Sequence, residues 1–190
     1  MPVHHNGPVS LNVRAHYRNM ANIPDPDFED PKEVYAFFGL AMYNANLVEA
    51  SLINLAVVLH LDRVNVITKE VFEAAFGKME SKTLGQLLKA TRALAPVPEE
   101  VEPVLNETLA KRNYLAHNFF REHAEEFIHP SGKRLMIEEL CSMIELFKNA
   151  DELVTTIYMS LWEKYGVTES FIKAELELMY SKNESRYGGL

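Results

Sequence analysis

One short stretch, "AKRNYLAHNFF" at residues 110–120, contains side chains whose types and spacing could support chemistry on a phosphate. Arg112 offers a planar fork of donors that matches phosphate oxygens, and His117 can exchange a proton near neutral pH. Together they could cut RNA without a metal. The imidazole would move a proton at the 2′-hydroxyl or at the leaving 5′-oxygen, while the guanidinium would stabilise the charge that builds on the phosphoryl group.

Helical spacing decides how these side chains can cooperate. Asn113 and His117 are four residues apart, so they lie nearly above one another and Asn113 can orient the imidazole. Arg112 and His117 are separated by about 140° on a regular helix. They can therefore act on one phosphate only if the helix breaks between them or if the target lies between the two side chains.

The same stretch also has a purely structural interpretation, because Arg112 falls on an apolar stripe. A buried cation needs a partner, so Arg112 could pair with a glutamate of a neighbouring helix, and His117 could simply donate to a carbonyl. Glu49 and Asn44, on the first long helix, are the polar candidates for this partner. We predict that one of them lies within one side-chain layer of the motif helix. The stripe consists of Val101, Leu105, Thr108, Arg112, Leu115 and Phe119.

Helical periodicity dominates the rest of the chain, and no strand pattern or internal repeat stands out. The sequence therefore predicts an all-α fold, a four-helix-type bundle with shorter flanking helices. In chain order, the first three predicted helices run from Pro31 to about His60, from a Thr68 cap to Gly77, and from Ser81 or Thr83 to Leu94. The fourth runs from Val101 to Phe119. The fifth begins after the "HPSGK" loop and continues for about thirty residues to Tyr165, and the last runs from Thr168 to Met179.

Length and composition fit one domain, since the chain has 190 residues of which 47% are hydrophobic. Residues 1–30 contain "IPDPDFEDP" and are predicted to form an extended N-terminal arm. Residues 31–182 are predicted to form a single helical bundle domain, and residues 183–190 a flexible tail.

Charge and cysteine usage exclude several function classes. A net charge of −8 argues against an unselective nucleic-acid coat. Cys141 is the only cysteine, so neither a disulfide nor a cysteine-based zinc site is expected, and a reduced, cytoplasmic setting is the default. Apolar runs such as "LINLAVVLHL" are too short to span a bilayer. No metal or cofactor is expected, because neither His117 nor the terminal pair His4 and His5 has companions at ligand spacing.

A few residues outside the motif are weaker candidates. Asp151 occupies an apolar position of the long C-terminal helix, where it marks an interface, a kink or a stripe that drifts outward. His123 and His129 could widen a cleft, but loop histidines need no function. Phe119 and Phe120 could stack on a base. Core packing explains Phe119 equally well, because it follows the stripe.

The segment "KRNYLAHNFF", late in a predicted all-α domain, resembles the signature of the HEPN superfamily (higher eukaryotes and prokaryotes nucleotide-binding). That signature is an arginine, four to six residues, then a histidine, commonly with a polar residue directly after the arginine. The resemblance implies a helical bundle that dimerises and a metal-independent endoribonuclease of toxin–antitoxin or antiviral systems. It implies Arg112 and His117 as catalytic residues and Asn113 as their positioner. Glu49 is a candidate for the polar residue that the first helix often adds to such sites.

The implied partners are RNA, a second copy of the chain and an antitoxin protein. In a two-fold dimer, motif helices near the axis would bring two Arg112 and two His117 side chains around one groove. Two alternatives stay open from the residues alone. One is a catalytically silent helical module that binds a nucleotide, RNA or a partner protein. The other is a scaffold in which Arg112 forms only an internal ion pair.

Overall fold

A computed structural model describes residues 23–30 and 32–187 of the chain, with side chains up to Lys182. Over these residues the protein consists of α-helices and two short 3-10 helices without strands, which confirms the predicted all-α class. The helices are α1 Glu33–Leu61, α2 Lys69–Glu80, α3 Leu84–Leu94, α4 Glu102–His117, α5 Phe119–Glu122, α6 Pro130–Trp162 and α7 Glu169–Tyr187, and the 3-10 helices are Glu126–Ile128 and Glu163–Tyr165.

The two longest helices, α1 and α6, pack along each other and form the centre of the protein. They run in the same direction, because Tyr35 near the start of α1 contacts Phe127 just before α6, and Asp62 just after α1 accepts a hydrogen bond from Tyr165 just after α6. The α3 helix packs on α1, while α4 lies against α1, α3 and α6. These four helices bury the apolar stripes predicted from periodicity.

Local signals in the sequence set several helix ends. The Thr68 hydroxyl accepts a hydrogen bond from the Val71 amide, as the predicted cap requires. Thr83, rather than Ser81, starts α3, because its backbone amide donates to the Gln86 side chain in a capping box. The α2 helix continues past Gly77 to Glu80, so that glycine does not terminate it.

The connection into α6 differs from the prediction. Pro130 is the first residue of the helix, so most of "HPSGK" is helical rather than a loop. Proline suits this position because the first helical amides have no partner within the helix. Gly132 lies directly beneath the preceding 3-10 helix, and a Cβ atom at this position would come within 2.2 Å of the Glu126 carbonyl oxygen. The connection is therefore compact and tightly packed.

Towards its two ends, the structure describes residues 23–30 and a long last helix. Residues 1–22 lie outside the described residues, and so do His4 and His5. Among residues 23–30, Ile23 and Phe28 pack against the core, and the Arg134 guanidinium lies 4.1 Å from the centre of the Phe28 ring. The last helix ends at Tyr187, well beyond Met179. Residues 183–187, which the sequence assigns to a flexible tail, continue this helix, because no proline or glycine interrupts the sequence before Gly188.

Helix α1 is long and apolar enough to cross a membrane by length and composition, with a mean hydropathy of 1.3 over its best 18-residue window. The contiguous apolar runs do not reveal this, because single polar residues interrupt them. Within the structure, 61% of that window is buried against neighbouring elements. Core helices of soluble proteins share this property, so the cytoplasmic location stays a prediction.

Candidate functional site

Arg112 and Glu49 form the inner part of the candidate site. Arg112 projects from α4 toward α1, and its Nη2 atom lies 3.9 Å from Glu49 Oε2. The two side chains are 23% and 21% exposed, so the pair is neither sealed in the core nor freely solvated. The prediction that Glu49 or Asn44 approaches the motif helix is confirmed for Glu49. At 3.9 Å the contact is an ion pair without a direct hydrogen bond, which leaves the guanidinium donors available to a stronger acceptor.

Asn44 does not take part in this pair. Its side-chain amide donates a 2.8 Å hydrogen bond to the Leu40 carbonyl one turn earlier in α1, and the residue is buried. A buried amide needs such a partner, and the helix backbone supplies one. Within the described residues no ion pair or hydrogen bond joins Asn44 to Arg112. Of these two polar residues of α1, only Glu49 contacts Arg112.

His117 and Asn113 are exposed on the outer face of α4. Neither side chain makes a hydrogen bond to any residue that the structure describes, so the predicted contact in which Asn113 orients His117 is not formed. Water competes well for hydrogen bonds between exposed groups, and helical spacing alone therefore does not join them. The alternative in which His117 donates to a carbonyl is likewise not seen among the described residues.

The helix is unbroken between Arg112 and His117, and it is interrupted only at Asn118, where φ is −122° and ψ is −29°. The angular separation of about 140° expected for a regular helix therefore applies. Arg112 faces α1, whereas His117 faces solvent. A ligand that contacts both side chains of one chain would have to lie across the edge of α4.

A second polar cluster lies on the other side of α4, and no local pattern in the sequence marks it. His123, directly after α5, places its Nε2 atom 2.8 Å from Glu139 Oε2 on α6 and 3.1 Å from the Tyr114 hydroxyl on α4. Lys111 Nζ lies 3.5 Å from the other oxygen of Glu139. We call Lys111, Tyr114, His123, Glu126 and Glu139 the His123 cluster. It connects α4, α6 and the segment between them.

The proton on the His123 ring can be assigned from its partners. A carboxylate oxygen only accepts, so Nε2 carries the hydrogen that it donates to Glu139, and the Tyr114 oxygen lies nearby as a second acceptor. The Nδ1 atom is buried and has no hydrogen-bond partner. Glu126 Oε2 lies 3.9 Å from Nδ1, which is an ion-pair distance if the ring is protonated.

Burial and neighbouring acids stabilise the neutral forms of two further groups. Burial raises the pKa of the Tyr114 hydroxyl, and the charges of Glu139, Glu122 and Glu126 raise it further. The phenol therefore stays protonated at neutral pH. Burial, together with the charges of Glu145 and Glu138, also raises the pKa of the Cys141 thiol. A thiol without thiolate character is a poor nucleophile, so Cys141 is not a candidate for covalent chemistry.

The remaining candidate residues from the sequence lie in different environments in the structure. Asp151 is buried and its Oδ1 accepts a 2.5 Å hydrogen bond from the Ser51 hydroxyl, so it marks the contact between α6 and α1. His129 is the N-cap of α6, where its Nδ1 accepts from the Ser131 amide. Phe119 is core, at 1% exposed, whereas Phe120 is 37% exposed. Among the described residues no group of three or more histidine, cysteine or acidic side chains could hold a metal ion.

Comparisons with known proteins return no matching family model, no similar curated protein and no similar solved structure. A functional assignment therefore depends on the residues and their geometry.

Proposed function

We propose that the protein is a metal-independent endoribonuclease of the HEPN type. The observation that carries this proposal is the state of Arg112, a partly exposed arginine that is positioned by Glu49 but not saturated by it. Arginine in this state can exchange a weak carboxylate contact for the oxygens of a phosphate. The same helix presents Asn113 and His117 to solvent, which suits groups that must reach a large polymer.

The reaction would proceed by attack of the RNA 2′-hydroxyl on the adjacent phosphorus. One neutral imidazole takes the hydroxyl proton as the new P–O2′ bond forms. An imidazolium then returns a proton to the 5′-oxygen as the P–O5′ bond breaks. Arg112 would stabilise the charge on the non-bridging oxygens. The products would carry a 2′,3′-cyclic phosphate and a 5′-hydroxyl, and no metal enters any step.

A homodimer would resolve the angular separation of the two motif side chains. Arg112 and His117 of one chain point about 140° apart, which does not favour contact with the same phosphate. Two copies that meet across the edge of α4 between its outer face and α1 would bring His117 of one chain beside Arg112 of the other. An isologous interface supplies this arrangement twice, and it provides both an acid and a base. The dimer would also concentrate positive charge in a chain of net charge −8.

A cleavage assay with the full-length protein tests this function. We expect a labelled single-stranded RNA to be cut equally well with and without EDTA. We expect His117→Ala and Arg112→Ala each to lower the rate by about a hundredfold or more. His60→Ala, which alters a histidine at the far end of α1, serves as the matched control. Unchanged cleavage in both motif variants, or loss of activity in EDTA that a divalent ion restores, would contradict the proposal.

A catalytically silent module that binds a nucleotide, RNA or a partner protein is the second candidate. The separation of Arg112 from His117, with no hydrogen bond between them, favours it. In that case RNA binding measured by fluorescence anisotropy would fall on Arg112→Ala although the wild type cuts nothing. A role in toxin–antitoxin or antiviral defence, with an antitoxin protein as partner, is proposed from the family resemblance alone.

A further inference from the structure

An aromatic surface lies directly after the end of α4. Phe120 contacts Tyr35 and Phe38 of α1, with 5.8 Å and 4.8 Å between ring centres. Phe127 of the 3-10 helix contacts both Tyr35 and Phe120. We call Tyr35, Phe38, Phe120 and Phe127 the aromatic platform. Its rings support one another, yet Tyr35 stays 57% exposed and Phe120 37% exposed.

Core packing does not explain these two exposed rings. Phe119 fills the core at 1% exposed, whereas Tyr35 and Phe120 leave apolar surface in water, which is unfavourable. Contiguous exposed apolar surface on a folded protein marks a binding site more often than isolated exposed residues do. Neighbouring rings hold both side chains, so little conformational freedom is lost when a flat ligand stacks on them. The platform is therefore prepared for an aromatic ligand.

The aromatic platform lies on the same edge of α4 as Arg112. Ala116 follows Arg112 by one turn, it is small and exposed, and Phe120 follows after the break that ends the helix. Along this line no large side chain of α4 separates the guanidinium from the Phe120 ring. On α1, Glu49 contacts Arg112 and Phe38 contacts Phe120. The guanidinium and the platform thus lie along the same two helices, eight residues or about 12 Å apart on the side of α4.

Positive side chains flank the aromatic platform. Lys133 Nζ lies 5.7 Å from the centre of the Phe127 ring. Arg121, directly after Phe120, is exposed and forms no ion pair with any residue that the structure describes. The acidic residue directly before Phe127 is Glu126, which lies 3.9 Å from His123 on the other side of the segment. Open rings with cations at their margins suit a nucleotide, whose base can stack and whose phosphate is negative.

We propose that the aromatic platform binds an unpaired base of single-stranded RNA, which stacks on Tyr35 and Phe120 while Arg112 holds a phosphate of the same strand. Every base has a π face, so this contact tolerates different sequences. A base within a duplex is covered by its neighbours, so the platform selects unpaired RNA. Base binding stands on the platform alone, whereas the position of the cut beside it rests on the function proposed above.

Base binding can be measured without cleavage. A fluorescein-labelled single-stranded 2′-O-methyl oligonucleotide lacks the free 2′-hydroxyl that cleavage requires, so its fluorescence anisotropy reports affinity alone. We expect Phe120→Ala and Tyr35→Ala each to weaken binding by about fivefold to a hundredfold, the range for loss of one stacked base. Tyr43→Ala is the matched control, because Tyr43 is an α1 tyrosine that is 52% exposed and lies outside the platform. It should leave the affinity unchanged.

Two further comparisons separate stacking from general apolar contact and from effects on folding. Phe120→Leu keeps an apolar side chain but has no π face, so it should bind as weakly as Phe120→Ala. Phe120→Trp should bind at least as tightly as the wild type. A strand of the same length whose bases are replaced by abasic sites should bind the wild type more weakly than the normal strand, and this difference should shrink in Phe120→Ala.

Cleavage kinetics test the link to the proposed reaction. We expect Phe120→Ala to raise KM for a single-stranded RNA by a factor similar to its loss of affinity. The kcat should change by less than about twofold, because a stacked base contributes equally to the bound substrate and to the transition state. Annealing the RNA to its complement should slow cleavage by the wild type.

The outcomes separate this inference from the proposed function. Equal oligonucleotide affinities of the wild type, Phe120→Ala and Tyr35→Ala, or no binding by the wild type, would overturn the inference even if Arg112→Ala abolishes cleavage. Light scattering that shows a wild-type dimer and a Phe120→Ala monomer would assign the rings to a contact between two copies and would also overturn it. If the wild type cuts no RNA but both alanine variants lose affinity, the base-binding platform stands and the nuclease assignment fails.

Discussion

The two sides of α4 hold their polar residues in opposite ways. On the side of α1, Arg112 has a single carboxylate partner at 3.9 Å, and on the outer face His117 has no partner among the described residues. On the side of α6, His123 is 16% exposed and contacts Tyr114, Glu126 and Glu139. Two histidines six residues apart in the sequence thus lie in contrasting environments.

This difference indicates which group is free to act on a ligand. A side chain whose hydrogen bonds are already made contributes to structure, and a ligand must displace those bonds at a cost. A side chain that is exposed and weakly paired can accept a ligand without that cost. We therefore propose that ligand chemistry takes place at Arg112 and His117, whereas the His123 cluster holds α4 against α6.

The largest expected effect concerns the apolar support of the cluster. Phe119→Ala removes a ring that is 1% exposed and packs against Tyr114, His123 and Phe38. We expect it to lower the free energy of unfolding by about 3–5 kcal/mol. Phe120→Ala, the neighbouring change at an exposed ring, should cost less than about 1.5 kcal/mol. Urea unfolding, monitored by circular dichroism, measures the free energy of unfolding of both variants. Equal losses of stability would contradict the assignment of Phe119 to the core and of Phe120 to the surface.

A smaller loss of stability is expected where the 3-10 helix Glu126–Ile128 lies against α6. Gly132→Ala would place a Cβ atom 2.2 Å from the Glu126 carbonyl oxygen, so the backbone must shift. We expect a loss of about 1–3 kcal/mol, as for other overpacked positions. Gly77→Ala, in the interior of α2 with no atom within 4 Å of the new Cβ, should stabilise the protein by up to about 1 kcal/mol. Thermal unfolding compares the two. A tolerated Gly132→Ala would show that this segment adapts easily.

The smallest effects should distinguish the two carboxylates that flank α4. Glu139→Ala leaves the Nε2 hydrogen of His123 and the Lys111 ammonium without their acceptor, and we expect a loss of about 1–2 kcal/mol. Glu49→Ala breaks only the long pair with Arg112, so its loss should be below about 1 kcal/mol. Chemical unfolding of both variants at low salt provides the measurement. A larger loss for Glu49→Ala would reverse the assignment of structural and ligand-binding sides.

Much of the fold could be predicted because its signals are local. Residues within one or two turns determine the Thr68 cap, the start of α3 at Thr83 and the end of α3 before Pro96. The start of α6 at Pro130 was missed, because a proline in "HPSGK" is compatible with both a loop and a first helical turn. The extent of α7 was missed because its apolar pattern fades before its helical structure ends.

The site could be predicted only in part. Arg112 on a core stripe requires an acceptor, and that requirement led to Glu49. The structure forms no hydrogen bond between Asn113 and His117, since helical spacing allows contact between exposed side chains but does not enforce it. No local signal marks the His123 cluster, because Glu139 lies 16 residues after His123 and is one of several glutamates on α6.

The sequence by itself determined the helical class, most helix starts and the presence of an arginine that needs a partner, because periodicity, capping and the cost of burying a charge act through near neighbours or through general energetics. Only the tertiary structure decided that Glu49 is that partner, that His117 faces solvent and that His123 is enclosed. These features depend on how α1, α4 and α6 pack together, and contacts between residues far apart in the chain follow from that packing rather than from local spacing.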